Sequence, residues 1–291
     1  MHPTIELLRA ARPVLTDGAW GTQLQAQGLQ PHECPDSWNL THPDRVLQVA
    51  RAYVEAGSQV ILTNTFGANA VRLAGYGLAD QAAAINRAGV AISREAAAGR
   101  ARVFASMGPT GKMLLDGTIT EAELDRVFEE QAMALAEAGA DALVAETFSD
   151  LEEAGPAIAA ARRTGLPVVA SLVFDSGRDK DRTMMGVAPE RAAKALEEMG
   201  ADVVGANCGQ GISGYVSVCR RMRSATGAPL WIKANAGLPE LEAGRAVYRI
   251  QAEEFAGHGP ALVEAGADFI GGCCGTTPDF IRALRLRIRK P

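Results

Sequence analysis

The sequence holds little of what would staple, extend or electrify a fold. Five cysteines in 291 residues are too few, and too odd in number, for a disulfide framework, so the thiols are read as reduced. Positive charge is not in excess: 29 lysines and arginines face 34 acidic residues, a net charge of −5, which argues against a general affinity for nucleic acid or an anionic membrane. Partners are expected to be small molecules or proteins. No apolar run approaches the roughly 20 residues a membrane helix needs. The opening Met1-His2-Pro3-Thr4-Ile5-Glu6 also lacks the charged-then-apolar order of a signal peptide, so a cytoplasmic location is expected. Proline- or serine-rich linkers are missing too, so residues 1–291 are read as one domain.

What is present is a repeat. Glu55-Ala56-Gly57 leads to Asn64-Thr65-Phe66, Glu137-Ala138-Gly139 to Glu146-Thr147-Phe148, Glu198-Met199-Gly200 to Asn207-Cys208-Gly209, and Glu264-Ala265-Gly266 to Cys273-Cys274-Gly275. In each, a helix end meets a glycine stop and then an apolar strand, and the glycine precedes the polar residue by seven positions. Four further strand-like runs lie between: Val14–Thr16, Val103–Ser106, Val168–Val173 and Leu230–Lys233. Helical stretches such as Glu121–Ala138 and Pro189–Met199 separate them. Eight strands alternating with helices imply a parallel sheet with right-handed crossovers, and the length fits a closed (β/α)8 TIM barrel. An open doubly wound sheet would alternate as well, but no dinucleotide-binding glycine fingerprint supports it. In a barrel the polar strand ends share the catalytic rim. Three connections, Gly18–Thr41, Asp175–Val187 and Gly237–Gly257, exceed the usual length and are read as lids or docking surfaces. The basic tail of Arg282, Arg285, Arg287, Arg289 and Lys290 is read as a solvated helix end.

The rim carries an unusual set of thiols. Cys273 and Cys274 are adjacent in a glycine-rich strand end, and Cys208 ends the sixth strand 65 residues earlier. Single cysteines are commonly just small buried residues, and a vicinal disulfide is a strained alternative in a reducing compartment. Three thiolates at one rim suit a soft cation, and three protein ligands leave a tetrahedral zinc one open position. None of the four histidines, His2, His32, His42 and His258, falls at a strand end, which speaks against a histidine-ligated hydrolytic zinc. A sulfur-rich zinc suits activation of a substrate thiol toward carbon, so alkyl transfer to sulfur is the expected chemistry. Cys34 and Cys219 do not match the pattern and are read as structural.

Glu146 on the same rim has no basic neighbour in sequence and is a candidate to hold a substrate ammonium. The turn Asp17-Gly18-Ala19-Trp20-Gly21-Thr22 offers backbone N–H groups for a carboxylate, so the two together would grip an α-amino acid. Asp17 capping a helix and Glu146 paired with an arginine are the local alternatives. Asn64, Asn207 and Asn235 are either turn formers or site polar groups, and an Asn235 oxygen is a candidate for the vacant zinc position. Trp20, Phe66 and Phe148 are read as packing at the barrel mouth.

The segments Asp17-Gly18-x-x-Gly21-Thr22, Asn64-Thr65-Phe66, Gly108-Pro109-Thr110, Glu146-Thr147, Asn207-Cys208, Asn235–Pro239 and Gly271–Thr277 together resemble the homocysteine S-methyltransferase family across almost the whole chain. The resemblance implies zinc on Cys208, Cys273 and Cys274, and homocysteine held by Asp17, Gly18 and Glu146, with Asn64, Thr65, Asn207 and Asn235 around it. Gly275-Thr276-Thr277-Pro278 looks most like the homocysteine module of cobalamin-dependent methionine synthase. That implies a methylcobalamin donor carried by a separate corrinoid protein, since 291 residues leave no room for the folate and cobalamin modules. Betaine or S-methylmethionine as direct methyl donor is the alternative. Two remote readings are a phosphate cup at Gly237 and Gly271-Gly272, and a non-catalytic zinc or corrinoid-partner subunit.

Overall fold

The computed structural model describes residues 2–242 and 245–288. Eight parallel strands form one sheet: β1 (Val14–Leu15), β2 (Val60–Ile61), β3 (Arg102–Met107), β4 (Ala142–Phe148), β5 (Val168–Leu172), β6 (Val203–Gly211), β7 (Leu230–Asn235) and β8 (Phe269–Gly272). Neighbours follow chain order, β8 returns to β1, and a parallel bridge between Thr16 and Val60 joins β1 to β2. The ring is therefore closed, as the repeat predicts, and the open-sheet alternative falls away. No helix among the described residues is long and apolar enough to cross a membrane.

The four repeats fold alike because each uses glycine in the same way. Gly57, Gly139, Gly200 and Gly266 have φ between 91° and 99°, the left-handed conformation that ends a helix without a Cβ penalty. Two residues later a side chain turns back to the start of the preceding strand. Asp141 accepts from the Val103 amide at 2.8 Å, Asp202 from Val168 at 3.0 Å and Asp268 from Leu230 at 3.0 Å. Gln59 takes the Leu15 amide at 3.0 Å in the first repeat. These contacts pair backbone donors at the base of the barrel and fix the strand stagger.

Strand alternation divides the side chains into an inner set and an outer set. The outer set packs under helices such as Pro43–Ala56, Glu121–Glu137 and Ile212–Arg223. The inner set is apolar at the base: Val14, Val60, Phe104, Ala142, Val169, Val203, Trp231 and Phe269 form one cluster, with Ile5 of the helix Pro3–Arg9 fully buried against it. Trp231 stacks between Phe104 and Phe269 at centroid distances of 6.1 and 5.6 Å. One or two pleats higher along the same strands stand Thr16, Ser106, Glu146, Ser171, Asn207 and Lys233, all buried. The change from apolar to polar inner residues marks the C-terminal mouth as the chemically active end.

The long connections carry small elements of their own. After β1 come short helices Gly21–Ala26 and Trp38–Thr41, and after β7 an antiparallel hairpin pairs Glu240–Glu242 with Arg245–Val247. The last helix, Pro278–Ile288, exposes Arg282 and Arg287; Arg289 and Lys290 lie outside the described residues. Cys34 and Cys219 are buried away from the mouth thiols, Cys219 within the helix Ile212–Arg223.

Candidate metal centre and active site

Regular pairing of β6 with β7 ends at Asn207, and Cys208 follows with φ 63°. The left-handed backbone is uncommon for a residue with a Cβ, and it swings the thiol out of the strand direction. The Tyr215 hydroxyl donates to the Cys208 carbonyl at 2.7 Å and holds this turn. Cys273 and Cys274 lie just past β8. The Cys273 amide donates to Ala234 at 2.7 Å, while the Cys274 carbonyl accepts from Ala236 at 2.9 Å. The adjacent cysteines are thus pinned to β7 through opposite backbone groups. Thr276 completes the turn, donating to the Cys273 carbonyl at 2.7 Å and accepting from the Ala19 amide at 3.1 Å.

The result is a triangle of sulfurs. The Cys208 and Cys274 Sγ atoms are 3.8 Å apart, and all three Sγ atoms lie within 4.8 Å of one another. Among the described residues this is the one cluster of three histidine, cysteine or acidic ligands that would fit a metal. Without a cation, three thiols at this spacing support one charge: hydrogen bonds from Cys273 and Cys274 hold Cys208 well below the ordinary thiol range, and the same contacts push Cys273 and Cys274 up. The buried Asn235 side chain lies against Cys208, and its Oδ1 has no hydrogen-bond partner among the described residues. Three soft donors and one orphaned buried oxygen suit a tetrahedral zinc.

The thiols open onto a cavity of about 350 Å³. Glu146 stands in its wall, 7% exposed, accepting from Ser106 Oγ and, at 3.3 Å, from Asn207 Nδ2. Burial raises its pKa and the nearby Lys233 charge opposes that shift. Gly18 and Asn64 also line the cavity, with Trp20 and Phe66. Asp17, Thr65, Asn207 and Asn235 do not form its wall; they are buried and hold the groups that do.

Asp17 is ion-paired with Lys233 and accepts from Trp20 Nε1 at 2.8 Å and the Leu62 amide at 2.7 Å. Thr65 Oγ1 donates to the Ser106 carbonyl at 2.7 Å. Asn207 exchanges hydrogen bonds with Thr147, whose φ is 66°, and accepts from Ser171 at 2.6 Å. Two strained residues, Thr147 and Cys208, are therefore clamped around one asparagine. Among the described residues Glu146 is not paired with an arginine, the alternative that the sequence leaves open; its positively charged neighbour is Lys233.

Sequence reasoning misses Lys233, Ser106 and Asp36. Lys233 is visible in principle, as the one charge in an apolar strand and in step with Trp231 and Asn235. Asp36 lies in a loop without periodicity. It is 6% exposed, accepts from the Gly67 amide at 2.9 Å, and is pushed up by burial to about 6. The glycines at 271 and 272 are explained by packing: a Cβ on Gly271 would collide with Thr16 Oγ1, and one on Gly272 with Thr276 Oγ1.

The chain is similar to known proteins over most of its length. The chain is 33% identical over 292 residues to methionine synthase of Mycobacterium tuberculosis, covering 94% of this chain and 24% of that protein. It is 30% identical over 305 residues to betaine–homocysteine S-methyltransferase 1 of Danio rerio, covering 96% of this chain and 74% of that one. The chain thus spans about a quarter of the mycobacterial methionine synthases it matches. Its fold matches the homocysteine methyltransferase MmuM of Escherichia coli, solved in oxidized and metallated forms, with a TM-score of 0.81, 24% identity, and coverage of 98% of this chain and 100% of that one. The homocysteine S-methyltransferase model matches residues 14–288, from β1 to the last helix, and so takes in the three thiols and Glu146. On that match and the zebrafish relative's identity, the chain belongs to the homocysteine S-methyltransferase family.

Proposed function

We propose that this protein is a zinc-dependent S-methyltransferase that moves a methyl group to the thiol of homocysteine and yields methionine. The observation that carries the proposal is the triangle of Cys208, Cys273 and Cys274 sulfurs opening onto a cavity that holds one buried carboxylate, Glu146. Zinc, when bound by the three thiolates, supplies a cationic centre that lowers the pKa of an incoming thiol and leaves its sulfur nucleophilic. Asn235 Oδ1, which has no hydrogen-bond partner among the described residues, would be the candidate fourth donor in the absence of substrate.

The chain's own residues bind and orient. Glu146 accepts the substrate ammonium, and the Gly18 turn presents backbone N–H groups to the carboxylate, so the thiol end faces the sulfurs. Asp17 and Lys233 neutralise one another behind the wall and keep the turn in place. In transfer the substrate sulfur, its proton already released to solvent, forms a C–S bond to the methyl carbon as that carbon's bond to the donor breaks, with the electron pair departing on the donor. A non-catalytic zinc subunit would call for a closed site, whereas three ligands of the usual types stand here among the described residues.

For the donor, the proposal is a methylcorrinoid carried by a separate cobalamin protein. Similarity to methionine synthases and the Gly275–Pro278 segment support it. A corrinoid is far larger than a cavity of about 350 Å³ and would be presented at the mouth. Similarity to a betaine–homocysteine S-methyltransferase favours the second reading, in which betaine or S-methylmethionine enters the cavity directly. Reduced thiols at such a centre fit the cytoplasm. Zinc-loaded protein mixed with methylcobalamin and homocysteine, followed by absorbance and by mass detection of methionine, tests the assignment. Homocysteine-dependent demethylation supports the corrinoid donor; methionine from betaine or S-methylmethionine alone assigns the donor to the second reading; no methionine from any of the three overturns the function.

A further inference from the structure

The opposite end of the barrel carries an excess of guanidinium groups that the active site does not use. A hollow of about 900 Å³ at the base is lined by Arg9, Arg12, Arg223, Gln59 and Asp268. A second, of about 360 Å³, shares Gln59 and adds Arg94, Arg100, Arg102 and Asp141. Six arginines thus face two carboxylates, on a chain whose net charge is −5.

The carboxylates are already engaged. Asp268 Oδ2 accepts from the Leu230 amide, and its Oδ1 is shared by Arg9 at 3.0 Å and Arg12 at 3.3 Å, with Arg223 at 3.7 Å from Oδ2. Asp141 divides itself between the Val103 amide and Arg102. Glu6, beside Arg9 and Arg12, makes no ion pair with either among the described residues, and Arg100 likewise has no hydrogen-bond or ion-pair partner among them. Arg223 spends its Nη2 on the Thr226 and Ala228 carbonyls and Arg94 its Nη1 on the Gly139 carbonyl, whereas Arg9, Arg12 and Arg100 keep most of their five N–H donors for another acceptor.

The repeat explains the excess. Three of the four repeats put aspartate at the base, at 141, 202 and 268; the first puts neutral Gln59 there, and Gln59 is the residue common to both hollows. Where symmetry would place a fourth carboxylate, the arginines find none.

We propose that this basal hollow binds a small molecule bearing two or more phosphate groups, with Arg9 and Arg12 as its principal donors and Arg100 on the adjoining lobe. Planar guanidinium forks match phosphate oxygens in pairs, and clustered cations whose one carboxylate is shared favour a multiply charged anion over a single charge. The ligand would also tie the helix Pro3–Arg9 to the start of β7 and β8 through Arg9 and Asp268, so binding is coupled to stability. The site is independent of the methyltransferase assignment.

Inorganic pyrophosphate is the probe, titrated into the full chain by calorimetry, with thermal unfolding in parallel and potassium chloride matching ionic strength. Saturable binding is expected, with a rise in unfolding temperature that matched chloride does not give. Arg12→Ala and Arg100→Ala should each weaken pyrophosphate about tenfold. Gln59→Glu, which keeps the acceptor for Leu15 and restores the missing charge, should weaken it by a similar factor without the loss of any arginine. Binding unchanged in Arg12→Ala and Gln59→Glu, or no binding beyond the chloride control, overturns the proposal.

Discussion

The two ends of this barrel are built from the same strands and the same repeat, yet their polar groups are used in opposite ways. At the base the repeat's acids, Asp141, Asp202 and Asp268, each take a backbone amide of the neighbouring strand and serve folding. At the mouth the positions seven residues after the repeat's glycine are Asn64, Glu146, Asn207 and Cys273, and no two repeats do the same task. There Asn235 Oδ1 has no partner among the described residues, and three sulfurs share one charge. The basal acids serve stability because each holds a strand amide, and chemistry sits where three thiols share one charge beside a buried carboxylate.

The sharpest break in that comparison is removal of one sulfur. Cys208→Ala, Cys273→Ala and Cys274→Ala should each abolish zinc retention, read by elemental analysis, and drop methyl transfer to background, while circular dichroism stays that of the parent. Full activity in any of them would show that the triangle is not the catalytic centre. At the other end, Asp268→Ala strips partners from Arg9, Arg12 and the Leu230 amide. It should cost about 2–4 kcal/mol, lowering the unfolding temperature by roughly 5–10 °C with little change in KM. An equal loss of KM and stability would merge the two regions that the geometry separates.

Glu146→Gln should raise KM for homocysteine about tenfold or more, close to 1.4 kcal/mol, and alter kcat less. Because burial raises the Glu146 pKa, its carboxylate is lost at a higher pH than an ordinary one. KM of the parent should therefore climb as pH falls toward that raised value, and the Gln variant should flatten the profile. An unchanged KM would remove Glu146 from the substrate site.

An effect on stability alone, leaving methyl transfer aside, concerns Asp36, held at about 6 against an ordinary 3.8. A carboxyl raised on folding favours the protonated protein: its stabilising contribution is complete below 3.8 and is lost as pH rises through about 6. Asp36→Asn keeps an acceptor for the Gly67 amide. It should be more stable than the parent by about 1–3 kcal/mol at pH 8 and equal to it near pH 4. Destabilisation at pH 8, measured by denaturant titration, would show that the charge is needed there.

Much of the barrel is legible in the sequence because its signals are local. A glycine that must take positive φ, an apolar strand and a polar residue at constant spacing recur four times, and that interval alone places Glu146, Asn207 and Cys273 at one rim. Cys208 and the vicinal cysteines stand out for the same reason, as breaks in strand pattern beside glycines. Asp17 is less legible: beside a glycine turn it reads as a cap or a substrate contact, whereas the folded chain pairs it with Lys233, 216 residues away.

The sequence by itself determined the strand count, the parallel order, the height of each polar strand end and the identity of the thiols, because backbone conformation and hydrophobic alternation act over a few residues. Tertiary structure alone decided that the three sulfurs come within 4.8 Å, that Lys233 neutralises Asp17, that Asp36 reaches the cavity wall, and that six arginines converge around a glutamine. Each of those depends on the register with which a closed ring brings distant strands together, and register is set by the sum of packing across the whole barrel, which no local segment encodes.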